Sequence, residues 1–108
     1  MLKRTLLLLA LLAGAAQAKE TGLAYVSSEK NNTITMVDAK TLAVVGTIKT
    51  CKRPRHMHVM PDGLKMMVAC SDSNAADMID LAARKSLGTV PLGDDPEAFD
   101  ISPDGKTL

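Results

Sequence analysis

The densest set of side chains able to do chemistry is the run Lys52-Arg53-Pro54-Arg55-His56-Met57-His58. Three cations and two imidazoles within seven positions suit an anionic ligand such as a carboxylate, or a group that takes nitrogen ligands. His56 and His58 stand at i and i+2, so on a strand they share one face. At that spacing both imidazoles can reach one metal ion, or the propionates or iron of a haem, with a third ligand to come from another blade, Asp100 being a candidate. Two histidines without a cysteine partner or a His-rich neighbourhood form a sparse set, and packing against other side chains is the competing role. The candidate cofactor-binding residues are therefore Arg53, Arg55, His56 and His58. The sequence assigns no metal site, no catalytic set and no particular cofactor.

Nothing else in the chain has the spacing of a catalytic centre. Gly-x-Ser-x-Gly, a phosphate-binding P-loop and Gly-x-Gly-x-x-Gly are all missing. A binding or scaffold role is thus expected rather than an enzymatic one. Cys51 and Cys70 have neither Cys-x-x-Cys nor Cys-x-x-Cys-His spacing, which argues against thioredoxin-like exchange and covalent c-type haem. They either form the one intramolecular disulfide two cysteines allow, or Cys70 is a small buried hydrophobe at a strand end.

The compartment bears on that choice. Lys3 and Arg4 precede the apolar run Leu6 to Ala13, and Ala16-Gln17-Ala18 follows as a small-x-small cleavage pattern. This is the three-part form of a secretory signal peptide over residues 1–18, too short in its apolar part to span a bilayer. A periplasmic or secreted protein is expected, with no stable membrane insertion after cleavage, in a place where a disulfide persists. The whole chain has 13 basic and 12 acidic residues. Without Lys3 and Arg4 the remainder carries 11 against 12. That balance gives no field to draw in nucleic acid or an anionic membrane.

The elements that position the basic run follow from an internal repeat. At an offset of 42 residues, Val37-Asp38 falls on Ile79-Asp80 and Gly46-Thr47-Ile48 on Gly88-Thr89-Val90. Asn32 falls on Asn74, Pro54 on Pro96, and Pro61-Asp62-Gly63 on Pro103-Asp104-Gly105, all without a gap. Pro-Asp-Gly is tight-turn chemistry: Pro sets φ, Asp bonds its own backbone and Gly takes φ > 0. Leu23–Ser28, Thr33–Val37, Val44–Lys49, Met57–Met60 and Lys65–Ala69 read as short strands between polar clusters. Four strands per period of this length is a β-propeller blade, so the fold class is all-β, a partial β-propeller of about two repeats. Aromatics make up 2% of the chain, and the apolar volume must come from aliphatics and seven Met. Met57, Met60, Met66, Met67 and Met78 are read as packing between blades. Asp38, Asp62, Asp80 and Asp104 recur with the repeat as turn formers. The second copy is less β-like at Ala75-Ala76-Asp77 and at Ala82 to Lys85, where one helical turn is conceivable.

On Tyr25-Val26-Ser27-Ser28, Val37-Asp38, Gly46-Thr47-Ile48, Arg53-Pro54 and the Pro-Asp-Gly turns, the chain resembles the YVTN-type β-propeller repeat family over residues 22–108. It looks most like the periplasmic propellers associated with pyrroloquinoline-quinone-dependent alcohol catabolism, themselves similar to the haem-binding propeller of periplasmic nitrite reductase. His56, Met57, His58 and Cys51 depart from that pattern. The resemblance implies that the strand before Pro-Asp-Gly is innermost. Residues 23–49 are then three outer strands of a first blade, 55–92 one whole blade and 97–108 the start of a third. The domain expected is 19–108, the N-terminal part of a larger propeller. Up to nine strands are expected.

One repeat after Lys52, Arg53, Arg55 and His58 come Asp94, Asp95, Glu97 and Asp100. The run either pairs with these acids across blades or forms a charged rim that takes an anion such as a quinone carboxylate. The resemblance implies a binding or accessory protein of a quinone-dependent alcohol-oxidation system, with a periplasmic quinoprotein dehydrogenase or cytochrome as partner. A propeller-type enzyme or haem-dependent oxidoreductase subunit, lactonase-like or nitrite-reductase-like, and a surface interaction module are the alternatives.

Overall fold

A computed structural model describes residues 22–108, and the signal-peptide segment expected over 1–18 lies outside the described residues. Seven strands form two antiparallel sheets. The first holds β1 (Leu23–Ser28), β2 (Thr33–Asp38) and β3 (Val44–Lys49), in that order. The second holds β4 (Pro54–Val59), β5 (Lys65–Cys70), β6 (Ala75–Asp80) and β7 (Lys85–Pro91), also in chain order. Up-and-down order with short turns is the blade pattern, and the chain is all-β and folds as part of a β-propeller.

The repeat holds at the level of single hydrogen bonds. Asp38 Oδ1 accepts from the amides of Lys40 and Thr41, and Asp80 Oδ1 from those of Ala82 and Ala83. The residue-82 region is accordingly a turn and not a helix. Asn32 and Asn74 are both left-handed, with φ of 56° and 49°. Asn tolerates that conformation better than most residues. Each Asn side chain also reaches across the blade crossover, Asn32 Oδ1 accepting from Arg53 N at 2.9 Å and Asn74 Oδ1 from Asp95 N at 3.0 Å. Asp62 and Asp104 each accept an amide two residues on. Both sheets carry a register shift at the same repeat position, between Met36 and Val37 and between Met78 and Ile79.

The core lies between the sheets. Ile34, Met36 and Ile48 of the first pack with Met66, Val68, Cys70 and Ile79 of the second, with Tyr25 and Met57 at the margin. Strand β1 meets β4, and β3 meets β7. Met66 and Met57 do the inter-blade packing their spacing suggests. Nine strands are not reached among the described residues. After Pro91 the third-repeat turn forms, with Gly105 N donating to Ser102 O at 2.8 Å, but its flanks do not become strands. A turn is local, whereas a strand needs a laterally bonded neighbour.

Candidate functional site

The basic run sits where the chain crosses from the first sheet to the second. Residues 50–53 form the crossover and β4 begins at Pro54, which is fully buried. Three features hold the crossover. Thr50 N donates to Asn32 O, Ser71 N to Arg53 O at 3.1 Å, and Lys52 N to Ser73 Oγ at 2.8 Å. Cys51 and Cys70 are bridged, with Cα atoms 5.7 Å apart, which decides between the two roles the sequence left open. Arg53 has φ of 56°, and its repeat equivalent Asp95 has 50°. Because the strained conformation recurs, it belongs to the blade crossover and marks no chemistry peculiar to Arg53.

Both guanidiniums have carboxylate partners. Arg53 Nε lies 3.1 Å from Glu29 Oε2, with Asp72 at 3.8 Å. Arg55 spans the repeats, 3.7 Å from Glu29 on the first-sheet side and 3.1 Å from Glu97 on the other. Hydrogen bonding from Glu29, then its charge, holds Arg53 still further above its ordinary value. Of the basic-to-acidic pairs one repeat apart, Arg55–Glu97 is the one that closes to ion-pair distance among the described residues. Lys52 stays exposed.

The imidazoles face the other way, toward the residues after β7. His56 stands edge-on to Phe99, ring centres 4.8 Å apart, and His58 lies 6.4 Å from both His56 and Phe99. The two histidines share one face, as their spacing requires. His56 Nε2 is enclosed and has no hydrogen-bond partner. Asp100 does not join them, its carboxylate accepting from Ile101 N at 2.8 Å. No group of three His, Cys, Asp or Glu side chains gathers to hold a metal among the described residues. Imidazole nitrogen is a donor type that haem iron takes, but His56 Nε2 is enclosed, so a group could reach it only if the side chains around it moved.

Sequence reasoning missed Asp77. It is 2% exposed in the middle of β6 and faces the first sheet. Thr50 Oγ1 donates to its Oδ2 at 2.7 Å and Ser86 Oγ to its Oδ1 at 2.5 Å. The same Thr50 hydroxyl lies 3.8 Å from Cys51 Sγ and 4.0 Å from Cys70 Sγ, so crossover, disulfide and buried carboxylate form one cluster. The available signal was an acid between Ala76 and Met78 in a strand whose other copy has Thr35.

No family model and no curated protein matches the chain. Solved structures do. Hydrazine synthase of Kuenenia stuttgartiensis matches with TM-score 0.73 and 29% identity, covering 79% of this chain and 24% of that one. The dihydro-heme d1 dehydrogenase NirN in complex with DHE matches with TM-score 0.68 and 20% identity, over 83% of this chain and 19% of that one. A functionally unknown protein from Desulfotomaculum acetoxidans DSM 771 matches with TM-score 0.67 and 20% identity, over 78% and 29%. The chain thus spans under a third of each structure's length. The first two are β-propeller-type proteins, in keeping with the fold found here.

Proposed function

We propose that this chain is part of an exported β-propeller that serves a redox system as a binding or accessory protein, with β4 presenting His56 and His58 to a haem-type group. The observation that carries the proposal is His56 Nε2, enclosed beside His58 and Phe99 with no partner. Leaving such an atom unbonded costs about 1–3 kcal/mol, which a ligand at that nitrogen would recover. Two of the solved structures it resembles are, by their titles, a hydrazine synthase and a dihydro-heme d1 dehydrogenase. A haem would bring one-electron chemistry; this chain would contribute imidazole nitrogen and the Phe99 ring. Arg53 and Arg55 would meet its carboxylates only by giving up part of their bonding to Glu29, Asp72 and Glu97. Titration of the full chain with haem, followed by its visible absorption band, tests this. We expect a shifted, saturable band that His56→Ala with His58→Ala abolishes; equal binding by the double variant would refute the role of the pair.

The finer reading is an accessory to quinone-dependent alcohol oxidation in the periplasm, beside a quinoprotein dehydrogenase or a cytochrome. It rests on the repeat-family resemblance and on the signal-like leader. Its own test is binding of a tricarboxylate quinone that weakens with salt and with Arg53→Ala plus Arg55→Ala.

A further inference from the structure

The face of the second sheet that points away from the first sheet carries a row of soft donors. His58 of β4 is directly opposite Met67 of β5, and Met67 directly opposite Met78 of β6. Directly opposed residues in an antiparallel pair have Cβ atoms about 4.5–5.5 Å apart on one face. Met60 lies two residues beyond His58 on that same face and bonds through its amide to Lys65 O. Met60, Met67 and Met78 then line a single cleft of about 180 Å³ between the sheet and the third-repeat turn.

The chemistry of the lining is selective. Lys106 carries the one charged side chain of this cleft, while Asp62 and Asp104 border an adjoining cleft that shares Met60 and Met78. Within the cleft itself the side-chain donors are three thioethers, with Thr107 the one neutral oxygen, so a hard dication finds few of the oxygen ligands it needs. Thioethers are neutral, polarisable donors that favour copper(I), and imidazole suits copper as well. Met67 is 5% exposed, so its sulfur is already out of water, while the long unbranched stems of Met60 and Met78 can turn toward a shared centre.

We infer that Met60, Met67 and Met78, with His58 at their side, form a binding site for copper(I). The site shares His58 with the haem proposal but does not rest on it, because its three sulfur donors play no part there. Gly105 of the third-repeat turn sits against Met60 and Pro61 at one side of the cleft, which stays partly open to solvent.

The test is titration of the full, disulfide-intact chain with copper(I), held reduced by ascorbate, against the chelator bicinchoninate. One copper(I) per chain is expected to be retained. Met67→Leu with Met78→Leu preserves shape and removes both sulfurs, and should weaken retention at least about tenfold, the lower end of what even an outer-shell change causes. Met36→Leu, in the core on the opposite side, should leave it unchanged. Loss of all copper to the chelator from the unaltered chain, or equal retention by the double variant, overturns the site. Copper X-ray absorption of the unaltered chain reads the ligands directly: sulfur neighbours are expected, and a shell of nitrogen and oxygen alone overturns the inference. His56→Ala separates the two proposals, since it should abolish haem binding and leave copper(I) in place.

Discussion

The two sheets are built from the same repeat, yet the same position does different work in each. Thr35 in β2 and Asp77 in β6 are equivalent, both central in their strands. Thr35 belongs to the face of the first sheet that looks away from the second, with Val26 (53% exposed) opposite it. Asp77 is on the covered face of the second sheet, bonded to Thr50 and Ser86. Met36 and Met78 show the converse: Met36 is 1% exposed under the second sheet, while Met78 is covered only in part by the third-repeat segment. A strand position in a propeller thus acquires its burial from the neighbouring blade and not from its own.

The largest expected effect comes from the feature that only the second sheet has. Replacing Cys51 and Cys70 by Ser and Ala opens a loop with a sequence separation of 19 and should cost about 3 kcal/mol, read from urea denaturation. A loss below about 1 kcal/mol would mean that Asn32, Ser71 and Ser73 hold the crossover alone. Asp77→Ala should come next. It leaves the Thr50 and Ser86 hydroxyls without their acceptor and should cost about 2–3 kcal/mol, against under about 0.5 kcal/mol for Thr35→Ala. Equal losses at the two sites would break the comparison.

Smaller effects should be shared by both sheets. Asn32→Ala and Asn74→Ala each remove an acceptor and put Ala at positive φ, at a cost of about 1–2 kcal/mol apiece by thermal denaturation. Unequal losses would show that one crossover is held by other means. Arg53→Ala with Arg55→Ala should barely lower the melting temperature, because these pairs are substantially exposed, and the difference should shrink in 1 M salt.

The smallest is an acid dependence. Amide hydrogen bonds, from Thr41 in one case and Leu64 in the other, hold the Asp38 and Asp62 carboxyls below their ordinary value of 3.8. For Asp104 the first cause is the Ser102 hydroxyl. A depressed folded value means that the stabilisation is present above the ordinary value and is lost as pH falls through the depressed one. Asp38→Asn with Asp62→Asn should flatten the acid limb of the stability curve below about pH 4, measured by chemical denaturation at fixed ionic strength.

The sequence alone determined what is local. Pro-Asp-Gly, the Asp38 and Asp80 turns and left-handed Asn32 and Asn74 depend on atoms within a few residues, so the period of 42 located the turns and the two up-and-down sheets, though not the strands of the third repeat. It also placed His56 and His58 on one face, because alternation is a property of a single strand. Tertiary structure decided everything that requires two distant segments to meet. The disulfide across the crossover, the burial of Asp77 against Thr50, the commitment of Arg55 to Glu29 and Glu97, and the alignment of His58, Met67 and Met78 all depend on which face the next blade covers. Spacing along a chain fixes which face a side chain takes, and only packing fixes what it finds there.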